Sequence, residues 1–197
     1  MPRTPDLTHR AALLDAAVDH LLAHGLVGVS LRELADATGA SSRMLVHHFG
    51  SKEGLLAGAL GEARRRQRAA FEDRLRARPG QPYPAVLAAA WRWFSTEEAQ
   101  PYLRLFGELH ALARQPASPY ADFAQRSVLD WLPILEDGFL ADGAEPAEAR
   151  RAATLTLAVI RGLFMDLHAL EDTDRVDAAH ELFTELLRRR LPRYAAL

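Results

Sequence analysis

Between Ser30 and Lys52 the chain opens, closes and reopens helices at a density that few folds require: SLRELADATGASSRMLVHHFGSK. Ser30 with Glu33 three residues later is a capping box. Thr38-Gly39 closes the helix it opens after about two turns, and Ser41 or Ser42 caps a second. Gly50 then ends that one, and Ser51 caps a third. Helices this short are marginal in water, so packing must hold them, with Leu31, Leu34, Ala35, Leu45 and Phe49 as the inward set. Two short helices joined by a tight glycine turn form a helix-turn-helix, an arrangement that sets its second helix in a DNA major groove.

The flanks support that reading. Ala11, Leu14, Val18, Leu21 and Leu22 recur at helical spacing and predict a first helix over 8–24, with Thr8 as N-cap and Gly25 as a left-handed end. After Ser51 a long helix is expected to reach about Arg78, where Pro79-Gly80 stops it. It presents Leu55, Leu56, Ala59 and Leu60 and then the polar run Arg64-Arg65-Arg66-Gln67-Arg68. That run reads as a solvated face, ion-paired to acidic residues of the C-terminal part. Five further helices are expected over 84–95, 98–114, 119–141, 145–170 and 174–191. Pro133 should kink or break the third of these, while Pro146 suits a first turn. No strand-like alternation or internal repeat is visible. The fold class is therefore all-α, with a three-helix helix-turn-helix domain (1–52) joined by a long helix to a larger helical domain (53–197).

Composition narrows the function. The formal charge is −2, so a generally basic nucleic-acid binder is excluded and the distribution matters more than the sum. Residues 1–78 carry 12 Lys+Arg against 9 Asp+Glu, and residues 79–197 carry 12 against 17, so the positive balance lies with the helix-turn-helix. There are no cysteines, which removes disulfides and thiolate metal sites. No uninterrupted apolar stretch approaches the roughly 20 residues of a membrane span, and MPRTPDLTHR lacks a signal core, so an intracellular protein without membrane partners is expected. No nucleophile, acid–base pair or metal set converges, and no cofactor, metal or catalytic residue is expected. His47 and His48 are adjacent on a helix and point apart, which makes them a poor chelating pair.

The block SLRELADATGA, SSRMLVHHF, GSKEGLL resembles the TetR family of bacterial transcriptional regulators, over roughly residues 8–60. The resemblance implies an N-terminal DNA-binding domain, a helical effector and dimerisation domain, a homodimer, a cytoplasmic location and, most often, repression relieved by a small molecule. It puts His48 next to the phosphates and His47 on the exposed side. One departure is Val46, where the family usually has a tyrosine whose hydroxyl touches the DNA backbone.

Expected DNA contacts are Arg32, Ser41, Ser42, Arg43, Met44, His47, His48 and Lys52. Arg43 can donate two hydrogen bonds to guanine. Lys52 sits beside the free N–H groups of a helix start, where a phosphate is welcome. Thr8 or His9 can reach the backbone. The aromatic residues beyond residue 80 read first as core. As lining of an apolar effector pocket, the candidates are Trp91, Phe94, Tyr102, Phe106, His110, Phe123, Trp131, Phe164 and His168, with Arg161 or Asp166 as further polar anchors. Leu155, Val159, Gly162, Val176, Phe183 and Leu187 are the expected faces of a two-fold helix pairing, which would deliver two readers to one palindromic operator on double-stranded DNA. The alternatives are an activator of the same fold and a helical interaction module that does not bind DNA.

Overall fold

A computed structural model describes residues 4–170 and 172–190. Among these residues all regular structure is helical. The helices are α1 Thr4–His24, α2 Leu31–Thr38, α3 Ser42–Phe49, α4 Lys52–Leu75, α5 Tyr83–Phe94, α6 Gln100–Ala113, α7 Ala121–Leu129, α8 Leu132–Ala141, α9 Pro146–Leu170 and α10 Thr173–Arg190. The chain divides into two compact units. Among the described residues, one comprises 4–68 with 101–118, the other 69–100 with 119–170 and 172–190.

In the first unit α1 and α4 supply the apolar wall on which α2 and α3 rest. Leu13, Ala17, Val18 and Leu21 of α1 are buried, as are Leu55, Leu56, Ala59 and Leu60 of α4. Leu34 and Leu45 are fully buried, one from each short helix. Helix α1 begins earlier than expected, so Thr8 lies within it and cannot be its cap. Gly25 does take the left-handed conformation, at φ +87°. The arginine run of α4 is the clearest correction. Arg66 bonds Asp15 and Asp19 of α1 at 2.8 and 2.7 Å and Glu62 of its own helix at 3.1 Å, not the C-terminal part. It ties α4 to α1 inside the first unit.

In the second unit the long helix expected over 119–141 breaks before Pro133 into α7 and α8, because the ring removes a backbone donor and crowds the preceding turn. The end of the last expected helix, Leu191, lies outside the described residues. Trp91 is stacked between Phe164 and the imidazole of His180, with ring centroids 4.9 and 4.7 Å away. Its indole N–H donates to Asp177 at 2.6 Å. Phe71, Phe94 and Trp131 extend this aromatic core. Helix α9 packs against α8 and α10, yet by length and hydropathy it is also apolar enough to cross a membrane. The sequence reading missed this because Arg161 and Asp166 interrupt the run. The apolarity is left on the surface: Leu155 and Met165 are 53% and 72% exposed.

His180 is 1% exposed and its Nε2 has no hydrogen-bond partner among the described residues. Burial pushes its pKa down from 6.5 to about 4, helped by Arg92 and opposed by Asp177. The fold thus accepts only the neutral ring, whereas the unfolded chain takes up a proton as pH falls through 6.5. Stability contributed by this group is complete above 6.5 and is lost on acidification towards pH 4, to the extent of about 3 kcal/mol. Denaturant unfolding at pH 7 and pH 4.5 should show a smaller acid loss in His180→Phe than in the natural chain.

Candidate nucleic-acid interface

Helix α2 begins with the capping box read from the sequence. The Ser30 amide donates to Glu33 Oε2 at 2.6 Å, and the Glu33 amide donates to Ser30 Oγ at 3.2 Å. Those bonds hold the Glu33 carboxyl below its ordinary pKa, the Ser30 backbone N–H being the main cause. Gly39 ends α2 at φ +66°, with its N–H on the carbonyls of Ala35 and Asp36. Ser41 caps α3 by accepting from the Met44 amide at 3.2 Å. Its side-chain oxygen is therefore already engaged in holding the helix start. Ser51 does the same for α4, accepting from the Gly54 amide at 3.0 Å.

The expected contact residues come together on these helix starts and on the open side of α3. Arg32 and Arg43 are exposed and make no hydrogen bond or ion pair with any described residue, so both guanidinium groups keep all five donors free. Ser42 and Lys52 are half-buried, and Lys52 stands at the first position of α4, where its charge acts on Glu53 and Glu33. Met44 is 40% exposed, with His9 Nε2 3.4 Å from its sulfur. His47 and His48 meet edge to face at 5.2 Å, and His9 lies 5.5 Å from His48. Val46 is 40% exposed and presents only methyl groups where a hydroxyl would serve a phosphate.

Three positioning side chains were not found from the sequence. Arg10 of α1 donates from Nε to the His48 carbonyl at 3.3 Å and lies over the Phe49 ring at 4.7 Å, fastening the end of α3. Glu108 of α6 accepts from the amides of Leu26 and Val27 at 2.6 and 3.2 Å. Arg104, one turn earlier, donates to the carbonyls of Leu22 and Ala23 at 2.6 and 3.0 Å. This pair satisfies four backbone groups at the end of α1, from more than 80 residues away. No local pattern signals such a contact; its one trace is Gly25, whose missing side chain leaves room for the Glu108 carboxylate.

The expected pocket residues lie in both units. In the first, Tyr102 and His110 are half-buried and Phe106 is buried. In the second, Trp91, Phe94, Trp131 and Phe164 are between 3% and 8% exposed and pack on one another or on neighbouring rings. Phe123 is half-buried, and His168 is exposed with Nδ1 2.8 Å from the Phe164 carbonyl. An open cavity of about 200 Å³ occurs elsewhere in the second unit, beside Arg78, Gly80, Tyr83, Gly138 and Asp142, and includes none of these residues. The expected association set divides. Leu155 and Gly162 are exposed and Val159 is half-buried, but Val176, Phe183 and Leu187 are 2%, 7% and 6% exposed. Those three fill the chain's own core, and the large apolar residues that α10 leaves outside are Leu182 and Leu186, at 57% and 54%.

Capped short helices, free arginines and a lysine at a helix start define a helix-turn-helix module. Residues 13–59 match the family described as bacterial regulatory proteins, tetR family. A stretch of 53 residues, 27% of this chain, is 49% identical to the HTH-type transcriptional regulatory protein RaaS of Mycobacterium tuberculosis, and it spans 24% of that relative. The whole fold is similar to that of a TetR-family regulator of Cytophaga hutchinsonii (TM-score 0.76, 15% identity, 94% of this chain and 96% of that one). It is also similar to NalD, the secondary repressor of the MexAB-OprM multidrug efflux pump of Pseudomonas aeruginosa (TM-score 0.62, 22% identity, 96% and 98%). The helix-turn-helix region thus matches the tetR family model, and over most of its length the chain has the fold of solved TetR-family regulators.

At Gly25 a Cβ would lie 2.5 Å from Glu108 Oε1, on a backbone with positive φ. Gly25→Ala should therefore destabilise by about 1–3 kcal/mol in denaturant unfolding. Adding Glu108→Ala should relieve the collision but not the backbone strain, so the double variant should remain less stable than Glu108→Ala alone.

Proposed function

We infer that the chain is a sequence-specific DNA-binding transcriptional regulator, a homodimeric cytoplasmic repressor that a small molecule releases from a palindromic operator. It works by binding and not by catalysis. One observation carries the reading: Arg43 and Arg32 are exposed, charged and uncommitted on a rigidly capped two-helix unit, with Lys52 at the next helix start. Arg43, Met44 and Ser42 are the base-reading candidates. Arg32, Lys52, His47 and His48 are the phosphate candidates, and Ser41 serves through its cap.

A palindrome needs two readers. On α9, Leu155, Ala158, Gly162, Met165 and Ala169 are exposed at steps of three and four, a narrow apolar stripe with small residues at its centre. Leu182 and Leu186 add a second apolar row on α10. This face is the proposed two-fold interface, and its burial in a partner would account for an apolar helix otherwise left in water. Small-molecule release rests on the family resemblance, with the aromatic residues of the expected pocket as its candidates. An effector that binds the non-reading conformation more tightly would shift the population away from DNA.

Arg43→Ala should cost about 1–3 kcal/mol at one base position and relax the preference there in duplex titrations. Lys52→Ala should weaken all duplexes alike and reduce the salt slope by about one. Equal affinity of the double variant and the natural chain for a selected duplex would overturn the assignment. Met165→Glu with Leu182→Glu, both at exposed sites, should sediment as a folded monomer where the natural chain sediments as a dimer.

A further inference from the structure

In the second unit Arg161 is a half-buried guanidinium without an acidic partner among the described residues. It lies on α9 and donates from Nη2 to the main-chain oxygen of Ser127, on α7, at 3.3 Å. The chain is not short of carboxylates, having 26 Asp and Glu. It gives three of them to Arg66. Burial depresses the Arg161 pKa, with no acidic group acting against it. A guanidinium cannot escape by losing its proton, so removing it from water without a counter-charge is strongly unfavourable. The other four of its five N–H donors have no partner among the described residues.

The surroundings indicate what would meet them. Leu157 and Phe164 lie four residues before and three after Arg161, on the same side of α9. Ser127 is buried and spends its hydroxyl on the Ala124 carbonyl. Anything seated on the guanidinium thus meets one strong cation beside apolar surface. That chemistry suits a carboxylate, which matches the planar fork with two parallel bonds, attached to an apolar body.

We propose that Arg161 anchors a binding site for a small organic carboxylate in the second unit. The proposal rests on the effector reading above and gives that effector its chemical class. The acid is held through a bidentate pair to the guanidinium, with its apolar part against the aromatic core around Phe164.

The test uses the full chain, thermal unfolding and two probes, sodium benzoate and sodium phosphate, against sodium chloride at matched ionic strength. Benzoate should raise the melting temperature of the natural chain saturably, by about 5 °C at a hundredfold excess over its Kd. Phosphate should act more weakly. Arg161→Met should abolish the benzoate response and, without benzoate, melt no lower than the natural chain, since it removes an unpaired charge and keeps the packing volume. The proposal is overturned if benzoate does no more than chloride, if the response survives in Arg161→Met, or if that variant melts well below the natural chain. A fall in sedimentation coefficient on Arg161→Met would also overturn it, by placing the counter-charge on a second copy. A final arm measures release from a selected duplex by benzoate. Failure of the chain to bind any duplex refutes the regulator reading and leaves the melting result standing by itself.

Discussion

Two helices of eight residues cannot keep their shape in water, and the reading head consists of two such helices. What holds them is the satisfaction of their ends. One first-turn amide of each helix, that of Glu33 or Met44, is met by a serine oxygen, and in α2 Glu33 returns a bond to the Ser30 amide. The left-handed glycine Gly39 closes the carbonyl end of α2. Each helix then needs only one deeply buried leucine, Leu34 or Leu45, to fix it on the α1–α4 wall. With Leu34 and Leu45 buried and Ser30, Glu33, Ser41 and Ser51 spent on the helix starts, the outward side chains are left over for a partner. The free guanidinium groups follow from that economy: Arg32 and Arg43 stand where no structural bond claims them.

The same logic extends to the end of α1. A helix terminus leaves four carbonyls without partners, and a sharp link leaves amides unmet. Here a glutamate and an arginine one turn apart on α6 answer both needs, so part of the second half of the sequence belongs physically to the helix-turn-helix unit. Arg66 performs a related service between α4 and α1 through Asp15 and Asp19. The module is thus held by side chains that bridge long sequence distances, around helices defined by very short ones.

This contrast explains what could be read in advance. Ser30, Glu33, Gly39, Ser41, Gly50 and Ser51 act on neighbours three or four residues away, so their roles were visible in sequence, as was the break before Pro133. The partners of Arg66 and the tasks of Arg10, Arg104 and Glu108 depend on which helix lies alongside, and no local spacing encodes that. On α10 an apolar stripe announces burial without saying against what. Val176, Phe183 and Leu187 proved to face the chain's own core, while Leu182 and Leu186, one residue before Phe183 and Leu187, face out. Thr8 illustrates the boundary problem: a good capping residue was available, but the helix continues through it to Thr4.

The central claim is that this chain reads double-stranded DNA with two copies of one capped helix. Selection of bound sequences from a random duplex pool by the full-length chain, repeated at several salt concentrations, addresses it most directly. The account predicts an enriched palindrome and an affinity that falls steeply as salt rises, the mark of several phosphate contacts. A pool that emerges without an enriched motif, bound weakly and without dependence on salt, would contradict it.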